Sequence, residues 1–439
     1  MANESVNYQC PACGGPLHFS SAEQKLACDY CDSRFEVAEV EALYRERQAK
    51  ADAKASATPA SKPNEAPSEA EMLGQNAGYI CSSCGAELIS DGTVAVTTCP
   101  YCGNPAVAPG QLSGAFSPDL VIPFKLERKD ALSALQEHYK GKILLPKSFI
   151  SGNHIDEVQG VYVPFWLYGA HVDGEVHFDA ENHRVTEYSD RTVTTIKHYD
   201  AYRKGNMSFE RVPVDGSTKM PDGHMDAIEP FDYSSLRPFS VAYMPGFIAN
   251  RYDEDSSVCR NRAEKRMEGS LISAFRQTVS SYNTASLMSQ DLDYDWEDAD
   301  YALFPVWMLS TSWNGKSYLF AMNGQTGRLV GELPCSKPKL AIASVLFFVI
   351  GFVLSQILFM GENAFDPDYL TFDVEGILIN IVAPLIIVII GDVLLVGQLK
   401  TANEATHADE YCGELNLTEK HDTFSHTETT VVMKDDKDD

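Results

Sequence analysis

The sequence predicts a multidomain protein: two small four-cysteine units, an α+β domain rich in antiparallel strands, and a two-helix transmembrane hairpin. Three observations predict this. Eight of the 11 cysteines form two sets of identical spacing, the middle of the chain holds short apolar runs of strand character, and two long apolar stretches lie near the C-terminus. The predicted segments are 1–45 (first cysteine unit), 46–78 (flexible linker), 79–110 (second cysteine unit), 111–338 (α+β domain), 339–400 (helical hairpin) and 401–439 (acidic C-terminal tail).

Both cysteine sets consist of two C-x2-C pairs separated by 14 residues, and the second set follows the first by 71 residues. Such pairs place four thiolates around one tetrahedral Zn²⁺. Disulfide-stapled modules are the alternative, but the polar N-terminus is no secretory signal, and reduced thiols favour zinc. The sequence therefore predicts two four-cysteine zinc ribbons with structural Zn²⁺ held by Cys10, Cys13, Cys28, Cys31, Cys81, Cys84, Cys99 and Cys102.

Local sequence supports this geometry. A residue that tolerates left-handed backbone follows the second cysteine of each pair: Gly14, Asp32, Gly85 and Gly103. Short hairpin strands are expected around Leu17–Phe19 and Thr93–Val96. Units this small need the metal for their folding free energy, and a closed four-cysteine site leaves no open position for catalysis.

The charge of the chain argues against nucleic acid as a partner. The formal net charge is −27, and residues 79–110 contain no Lys or Arg. Phosphate binding needs clustered basic side chains, so neither ribbon is expected to bind nucleic acid.

Two apolar stretches, 340–360 and 377–399, are each long enough to cross a bilayer, and buried helices of a soluble core are the alternative. Lysines flank the pair at Lys337, Lys339 and Lys400, whereas the loop 361–376 carries five acids and no base. Positive flanks stay inside, so the sequence predicts a multi-pass cell-membrane protein with both termini cytoplasmic.

Polar residues inside these stretches are expected to find partners. Gln356 and Asn380 lie at similar depth and are expected to hydrogen-bond across the hairpin. Asp392 has two interpretations: a relay or transport role, or a carboxyl held near Ser344 or in a self-association contact.

Periodicity predicts the elements of the middle domain. Helices are expected at Lys129–Tyr139 and from Ser257 to about Val279, the second capped by Asp255 or Ser256. A further helix is expected to continue from Val37 into the linker. Strands are expected at 160–168, 170–183, 191–203, 303–309 and 316–322.

Three polar clusters have both a functional and a structural interpretation. Odd positions from His171 to His183 are polar and alternate with apolar ones, which indicates either a metal or acid–base face or the solvated side of a strand, with Gly174 a possible turn. The acidic run Asp291–Asp300 fails the calcium-loop pattern and is expected to be an exposed loop. The basic cluster on the second helix is expected to be a solvated face, the alternative being that it docks an acidic partner or this chain's own acidic segments: Arg260, Arg262, Lys265 and Arg266.

No nucleotide-binding, hydrolase or metalloprotease motif is present, so no catalytic or cofactor-binding residue is predicted and the chain is expected not to be an enzyme. The tail 401–439 has 11 acids against three bases; a short hairpin between Tyr411 and Met433 and a disordered end after it are expected.

Five segments lie between the second cysteine unit and the helical hairpin: YVPFWLY, VPVDGS, IEPFDYSSL, FPVWML and WNGKSYLFAMNGQTGRLVGELP. In these segments, in the order of the two cysteine units, in the helical hairpin and in the LNLT tail, the chain resembles a bacterial family of membrane-anchored, TFIIB-type zinc-ribbon-containing proteins. The resemblance covers nearly the whole chain. It implies the metal cysteines and the membrane anchor, and no activity comes with it.

The sequence thus favours a non-enzymatic, membrane-anchored cytosolic adaptor or scaffold whose ribbons, on a flexible arm, recruit an unidentified protein partner. A membrane-tethered nucleic-acid-binding protein and an accessory subunit of a transport or envelope complex are the alternatives. The lipid bilayer is the other expected partner, and self-association into a homo-oligomer is possible.

Overall fold

The computed structural model describes residues 8–55, 77–80, 87–90, 94–98, 105–107, 117–151, 155–360 and 377–433. The helices of this part are α1 (Val37–Ala55), α2 (Arg128–His138), α3 (Lys147–Ser151), α4 (Asp222–Ala227), α5 (Ser256–Gln277), α6 (Lys337–Met360) and α7 (Ala383–Gly397), the last preceded by one π-helical turn at Leu378–Val382. The strands are β1 (His18–Ser20), β2 (Lys25–Ala27), β3 (Arg34–Phe35), β4 (Ala77–Ile80), β5 (Glu87–Ser90), β6 (Val94–Thr98), β7 (Pro105–Val107), β8 (Leu120–Val121), β9 (Ile155–Glu187), β10 (Arg191–Asp215), β11 (Arg237–Pro238), β12 (Ile248–Asn250), β13 (Thr284–Trp296), β14 (Asp300–Trp313), β15 (Lys316–Asn323), β16 (Leu329–Gly331) and β17 (Asn416–Met433).

The main sheet is organised around β9, a strand of 33 residues. One edge of β9 pairs antiparallel with β14 along its first half and with β13 along its second half. Its other edge pairs with β10 and, over a short stretch, with β12. The apolar run 160–168 is buried on both faces where β9 and β14 cross the centre of the domain, which explains its nearly continuous hydrophobicity.

The second half of β9 belongs to a four-stranded antiparallel layer in the order β13–β9–β10–β17. Helix α5 covers one face of this layer, where Met267, Leu271 and Phe275 are fully buried. The predicted alternation from residue 170 to 183 is confirmed, since the even positions up to Ala180 are buried under α5. Gly174 does not make a turn: it stays in the strand opposite Gly205, and a Cβ there would lie 3.0 Å from Phe275.

The start of α5 follows from its cap. Asp255 accepts hydrogen bonds from the backbone amides of Ser257 and Val258, so the prediction that Asp255 or Ser256 caps this helix is confirmed. Helix α2 also lies within one residue of its predicted bounds.

The acidic run 291–300 is not the predicted exposed loop. Asp291, Asp293 and Asp295 lie on β13, opposite Glu175, Asp173 and His171 of β9. The alternation of these acids with Leu292 and Tyr294, which pack under α5, is a strand pattern that the high charge concealed.

The predicted short hairpin between Tyr411 and Met433 is wrong. Residues 416–433 form one 18-residue strand that pairs antiparallel with β10 from Arg191 to Asn206. Arg203 anchors this pairing because its guanidinium, fully buried, binds the Asp422 carboxylate of β17. The acidic segment is therefore an edge strand of the main sheet up to Met433; the end expected to be disordered lies outside the described residues.

The basic cluster of α5 is not a solvated face at Arg262 and Arg266. The Arg266 guanidinium is 4% exposed and binds the Glu229 carboxylate through two hydrogen bonds of 3.0 and 2.6 Å. Arg262 lies 2.7 Å from Asp222 and 3.1 Å from the buried Asp215. These arginines dock acidic segments of the same chain, which was the alternative interpretation.

Burial of these carboxylates changes their acidity. Burial raises the pKa of Asp215 to about 7, against the opposing effect of Arg262. Burial likewise raises the pKa of Glu229 to about 7, although Arg266 favours its ionised form. The ion pairs thus offset the desolvation cost of the buried carboxylates and add little to the net free energy of unfolding.

Candidate metal centre

The first cysteine unit is a three-stranded sheet, β1–β2–β3, followed by α1. The strands predicted around Leu17–Phe19 and the helix predicted from Val37 are both present. Two turns with the same hydrogen bonds carry the cysteines. Gly14 N–H donates to Cys10 O (2.8 Å) and Asp32 N–H donates to Cys28 O (2.9 Å).

Backbone conformation explains the residue that follows each pair. Gly14 has φ +77° and Asp32 has φ +54°, so both occupy the left-handed region, as predicted. In each turn the first cysteine also donates its backbone amide to a carbonyl five residues on, Cys10 to Gly15 O (2.6 Å) and Cys28 to Ser33 O (3.0 Å). The two turns therefore present their thiols in equivalent ways.

The four thiols of the first set converge. The Sγ atoms of Cys10, Cys13, Cys28 and Cys31 all lie within 4.8 Å of one another, and the Cys10–Cys31 and Cys13–Cys28 pairs are 3.6 and 3.5 Å apart. Hydrogen bonds from Ser33 lower the pKa of Cys31 to about 6. The pKa of Cys13 is raised instead, because the lowering effect of its hydrogen bond with Gly15 is outweighed by the Cys31 and Cys28 thiols. These four cysteines could hold a metal ion.

The centre is built into the main domain. Cys10 and Cys28 are 3% and 2% exposed and belong to the same apolar cluster as Phe19, Met244 and Phe247. Phe19 N–H also donates to Pro245 O (2.9 Å), which joins β1 to the loop before β12. The expectation that the ribbons move independently on a flexible arm is therefore wrong for the first unit; most of the linker, 56–76, lies outside the described residues.

The second set, Cys81, Cys84, Cys99 and Cys102, lies outside the described residues, as do Gly85 and Gly103. Described strands flank it. β4 pairs with β5, and the strand predicted around Thr93–Val96 is β6, which pairs with β7 on one edge and with β12 of the main sheet on the other. The second unit thus contributes strands to the main sheet.

Two described helices, spanning Lys337–Leu358 and Asn380–Gly397, are long and apolar enough to cross a membrane. The predicted polar contacts between them are present. The Gln356 amide donates to Asn380 Oδ1, and Ser344 Oγ lies 2.7 Å from Asp392 Oδ2. The start of α6 and the end of α7 lie side by side at the main domain, where Leu333 N–H, just before α6, donates to Leu399 O, just after α7 (2.9 Å).

The polar face of β9 also carries histidine and carboxylate side chains from neighbouring strands. Cross-strand neighbours from β10, β13 and β17 lie on the same face, opposite to α5. Its histidines are six of the 11 in the chain: His171, His177, His183, His198, His421 and His426. Its carboxylates are Asp173, Glu175, Asp179, Glu181, Asp200, Asp291, Asp293, Asp295, Glu419 and Glu428.

Two ligand sets on this face went unrecognised in the sequence. They are Asp179 with Glu181 and His198, and His198 with His426 and Glu428; in each set one donor atom per residue lies within 4.8 Å of the others. The signal was present in part, since β10 alternates polar side chains at even positions 198–208 with buried ones at 201–209. What linked β10 to β17 was a pairing between segments more than 200 residues apart.

The comparisons with known proteins place the chain. It is 32% identical over 338 residues to the Bacillus subtilis protein named "Uncharacterized protein YdjG", a match that covers 76% of this chain and 92% of that protein. The chain belongs to the YdjG family. No protein-family profile and no solved structure matches the chain.

The similarity to YdjG extends over most of the chain. An alignment of 338 residues cannot be confined to the segment Cys10–Cys31, so the similarity includes a large part of the sheet and helices described above. The name YdjG carries no activity.

Proposed function

We propose that the chain is a membrane-anchored, non-enzymatic zinc-ribbon protein that serves as an adaptor for a protein partner. Zn²⁺ fits the Cys10 centre, the group of Cys10, Cys13, Cys28 and Cys31, because structural zinc sites use four cysteine thiolates and these four thiols converge. The second cysteine set has the same spacing, which supports a second structural Zn²⁺ at Cys81, Cys84, Cys99 and Cys102. Both sets then match the pattern of zinc-ribbon proteins.

The anchor is proposed to be the pair α6–α7. Helix α6 has 24 residues, about 36 Å at 1.5 Å per residue, which suffices for a bilayer core. Many of its side chains point away from protein: Val345 is 66% exposed and Leu358 is 75% exposed. A helix of a soluble core would bury such residues, so lipid is the fitting environment.

Lysines at the base of the helices support the orientation. Lys339 Nζ donates to Leu145 O (2.7 Å) and Lys142 Nζ donates to Gln398 O (2.7 Å), where the helices meet the main domain. Basic side chains at this end and five acids in the segment 361–376 favour a cytoplasmic main domain, with both termini inside.

A protease site inserted within residues 361–376 is expected to be cleaved when protease is added outside intact cells. The same site appended after Asp439 should stay uncut until the cells are lysed. Immunoblotting of both chain ends measures the two outcomes. Cleavage of the terminal site alone in intact cells would contradict the orientation.

The observation that carries the adaptor role is an apolar tip at the far end of the layer β13–β9–β10–β17, called the distal layer below. The tip consists of exposed side chains at the β9–β10 turn and at the end of β17, each about half exposed or more: Val185, Tyr188, Val431, Val432 and Met433. These side chains lie on both faces of the layer, since Val431 and Val432 are successive residues of one strand, and their concentration at one end favours an interaction surface there. At about 3.3 Å per residue, β9 carries the tip roughly 60 Å beyond Tyr168, away from the base of the helices.

The double substitution Val431→Lys with Val432→Lys is expected to reduce recovery of a crosslinked protein partner at least fivefold, because two charges replace the apolar tip. Asn416→Lys with Thr418→Lys is the matched control, since it adds two charges at the opposite end of the same exposed strand and should leave recovery unchanged. Mass spectrometry after mild-detergent co-purification measures the effect.

Three results would contradict the adaptor role. Equal recovery from both variants would show that the tip is not the docking surface. Absence of any crosslinked protein partner, from the wild-type chain as well as from both variants, would remove the role itself. Retention of nucleic acid in filter binding, with a steep dependence on salt, would favour the membrane-tethered nucleic-acid-binding alternative.

A further inference from the structure

His198 is the least exposed histidine on the polar face of the distal layer, at 9%. Its Nδ1 lies 3.2 Å from Asp179 Oδ1 and 3.8 Å from Glu181 Oε1. An ionised carboxylate can only accept a hydrogen bond, so this contact places the proton of the neutral imidazole on Nδ1. The lone pair then resides on Nε2.

His198 Nε2 is buried and has no hydrogen-bond partner among the described residues. A buried polar atom without a partner is costly in a folded protein and calls for an explanation.

Strand β17 brings two further donors to His198. His426 is its direct cross-strand neighbour, and the two rings stack with centroids 4.4 Å apart. Glu428, two residues along the same face, has Oε1 3.5 Å from His426 Nε2. One donor atom from each of the three residues lies within 4.8 Å of the others.

We propose that His198, His426 and Glu428 bind a divalent transition-metal cation, with Asp179 as the positioning residue that orients His198. A carboxylate that holds the second nitrogen of a ligating imidazole is the usual support of such sites. Two imidazoles and one carboxylate suit Zn²⁺, Ni²⁺ or Cu²⁺ rather than the all-oxygen sites of Ca²⁺ and Mg²⁺.

The electrostatic setting favours a cation. The face carries ten carboxylates and, among its described residues, one lysine, Lys204, which is already paired with Glu175. The metal would join β10 to β17 and so fasten the C-terminal strand to the sheet. The site is separate from the cysteine centre in sequence, donor type and strand.

The test uses the full-length, reduced protein in mild detergent. Brief dialysis against a chelator should empty a partly exposed histidine site and leave the closed cysteine sites filled, and elemental analysis checks that the residual zinc is equal in all variants. Zn²⁺ alone is then titrated by calorimetry. The wild-type protein is expected to bind one further equivalent.

His198→Ala and His426→Ala are expected to abolish this binding, and Asp179→Asn to weaken it by roughly 10- to 100-fold. His171→Ala is the matched control, because His171 lies on the same face and contacts Ser208 instead. Glu428→Gln separates loss of binding from loss of folding, because this side chain is 61% exposed. This variant should lose affinity for Zn²⁺, while its melting temperature without metal stays equal to that of the wild-type protein.

Two results would overturn the site: a wild-type protein that takes up no Zn²⁺ beyond its retained content, or a loss in His171→Ala equal to that in His426→Ala. Zinc that is already zero in the purified protein before dialysis would instead refute the cysteine sites and leave the histidine titration readable. The two proposals therefore fail separately.

Discussion

Cys28→Ser is expected to remove one metal ion per chain and to unfold the first cysteine unit. Cys28 is one of four convergent thiols, and serine cannot replace a thiolate ligand. Structural Zn²⁺ binds such sites with about 10–16 kcal/mol of apparent free energy, which for a unit this small is its folding free energy.

The damage should extend beyond the unit. Phe19, Leu26 and Cys28 share one apolar cluster with Met244 and Phe247, so unfolding of β1 and β2 uncovers part of the main core. We expect faster proteolysis within residues 8–45 and a lower melting temperature of the whole domain. Elemental analysis and limited proteolysis measure these two effects.

Cys412→Ser is the control for this substitution. Cys412 lies outside both cysteine sets, and its thiol donates to a backbone carbonyl, Asp409 O, at 3.5 Å. Its metal content and proteolysis pattern should match those of the wild-type protein. If Cys28→Ser retained full metal content, the Cys10 centre would not be a metal site.

The short-range features of the fold could be predicted from the sequence because each depends on neighbours along the chain. The C-x2-C spacing brings two thiols into one turn, and Gly14 marks the left-handed residue that closes it. Asp255 caps α5 through amides two and three residues away. The apolar stretches at 340–360 and 377–399 needed only composition and length.

The long-range features were missed for one physical reason: a strand partner is not encoded locally. Residues 416–433 have the composition of a solvated tail, and only their pairing with β10 makes them a strand. Charge misled in the same way at Arg266, whose partner Glu229 lies 37 residues away in sequence. The histidine set is missed with them, because His198 and His426 become neighbours only through that pairing.

Arg266→Met is expected to destabilise the main domain by about 3–5 kcal/mol, because it leaves the Glu229 carboxylate buried without its cation. Glu229 is 8% exposed at its side chain, and of its carboxylate hydrogen bonds to described residues only the one from the Tyr411 hydroxyl, at 2.9 Å, would remain. Methionine fills a similar volume, so the loss reports charge rather than a cavity. Denaturant unfolding in mild detergent measures it.

Lys265→Met, on the exposed side of the same helix, is the control and should change the free energy of unfolding by about 0.5 kcal/mol or less. Glu229→Gln in the Arg266→Met background should recover part of the loss, because it removes the uncompensated charge. A destabilisation equal to that of the control would mean that the pair is not held in a buried environment.

The loss should also depend on pH in a defined direction. Burial raises the pKa of Glu229 from 4.5 to about 7, so the folded protein binds this proton more tightly than the unfolded chain does. The contribution of Glu229 to the free energy of unfolding therefore falls as pH rises from about 4.5 through about 7. Without Arg266 the folded pKa rises further, and the unfavourable slope extends to higher pH. Arg266→Met should consequently be more destabilising at pH 8 than at pH 6, whereas a pH-independent loss would indicate packing rather than the buried charge.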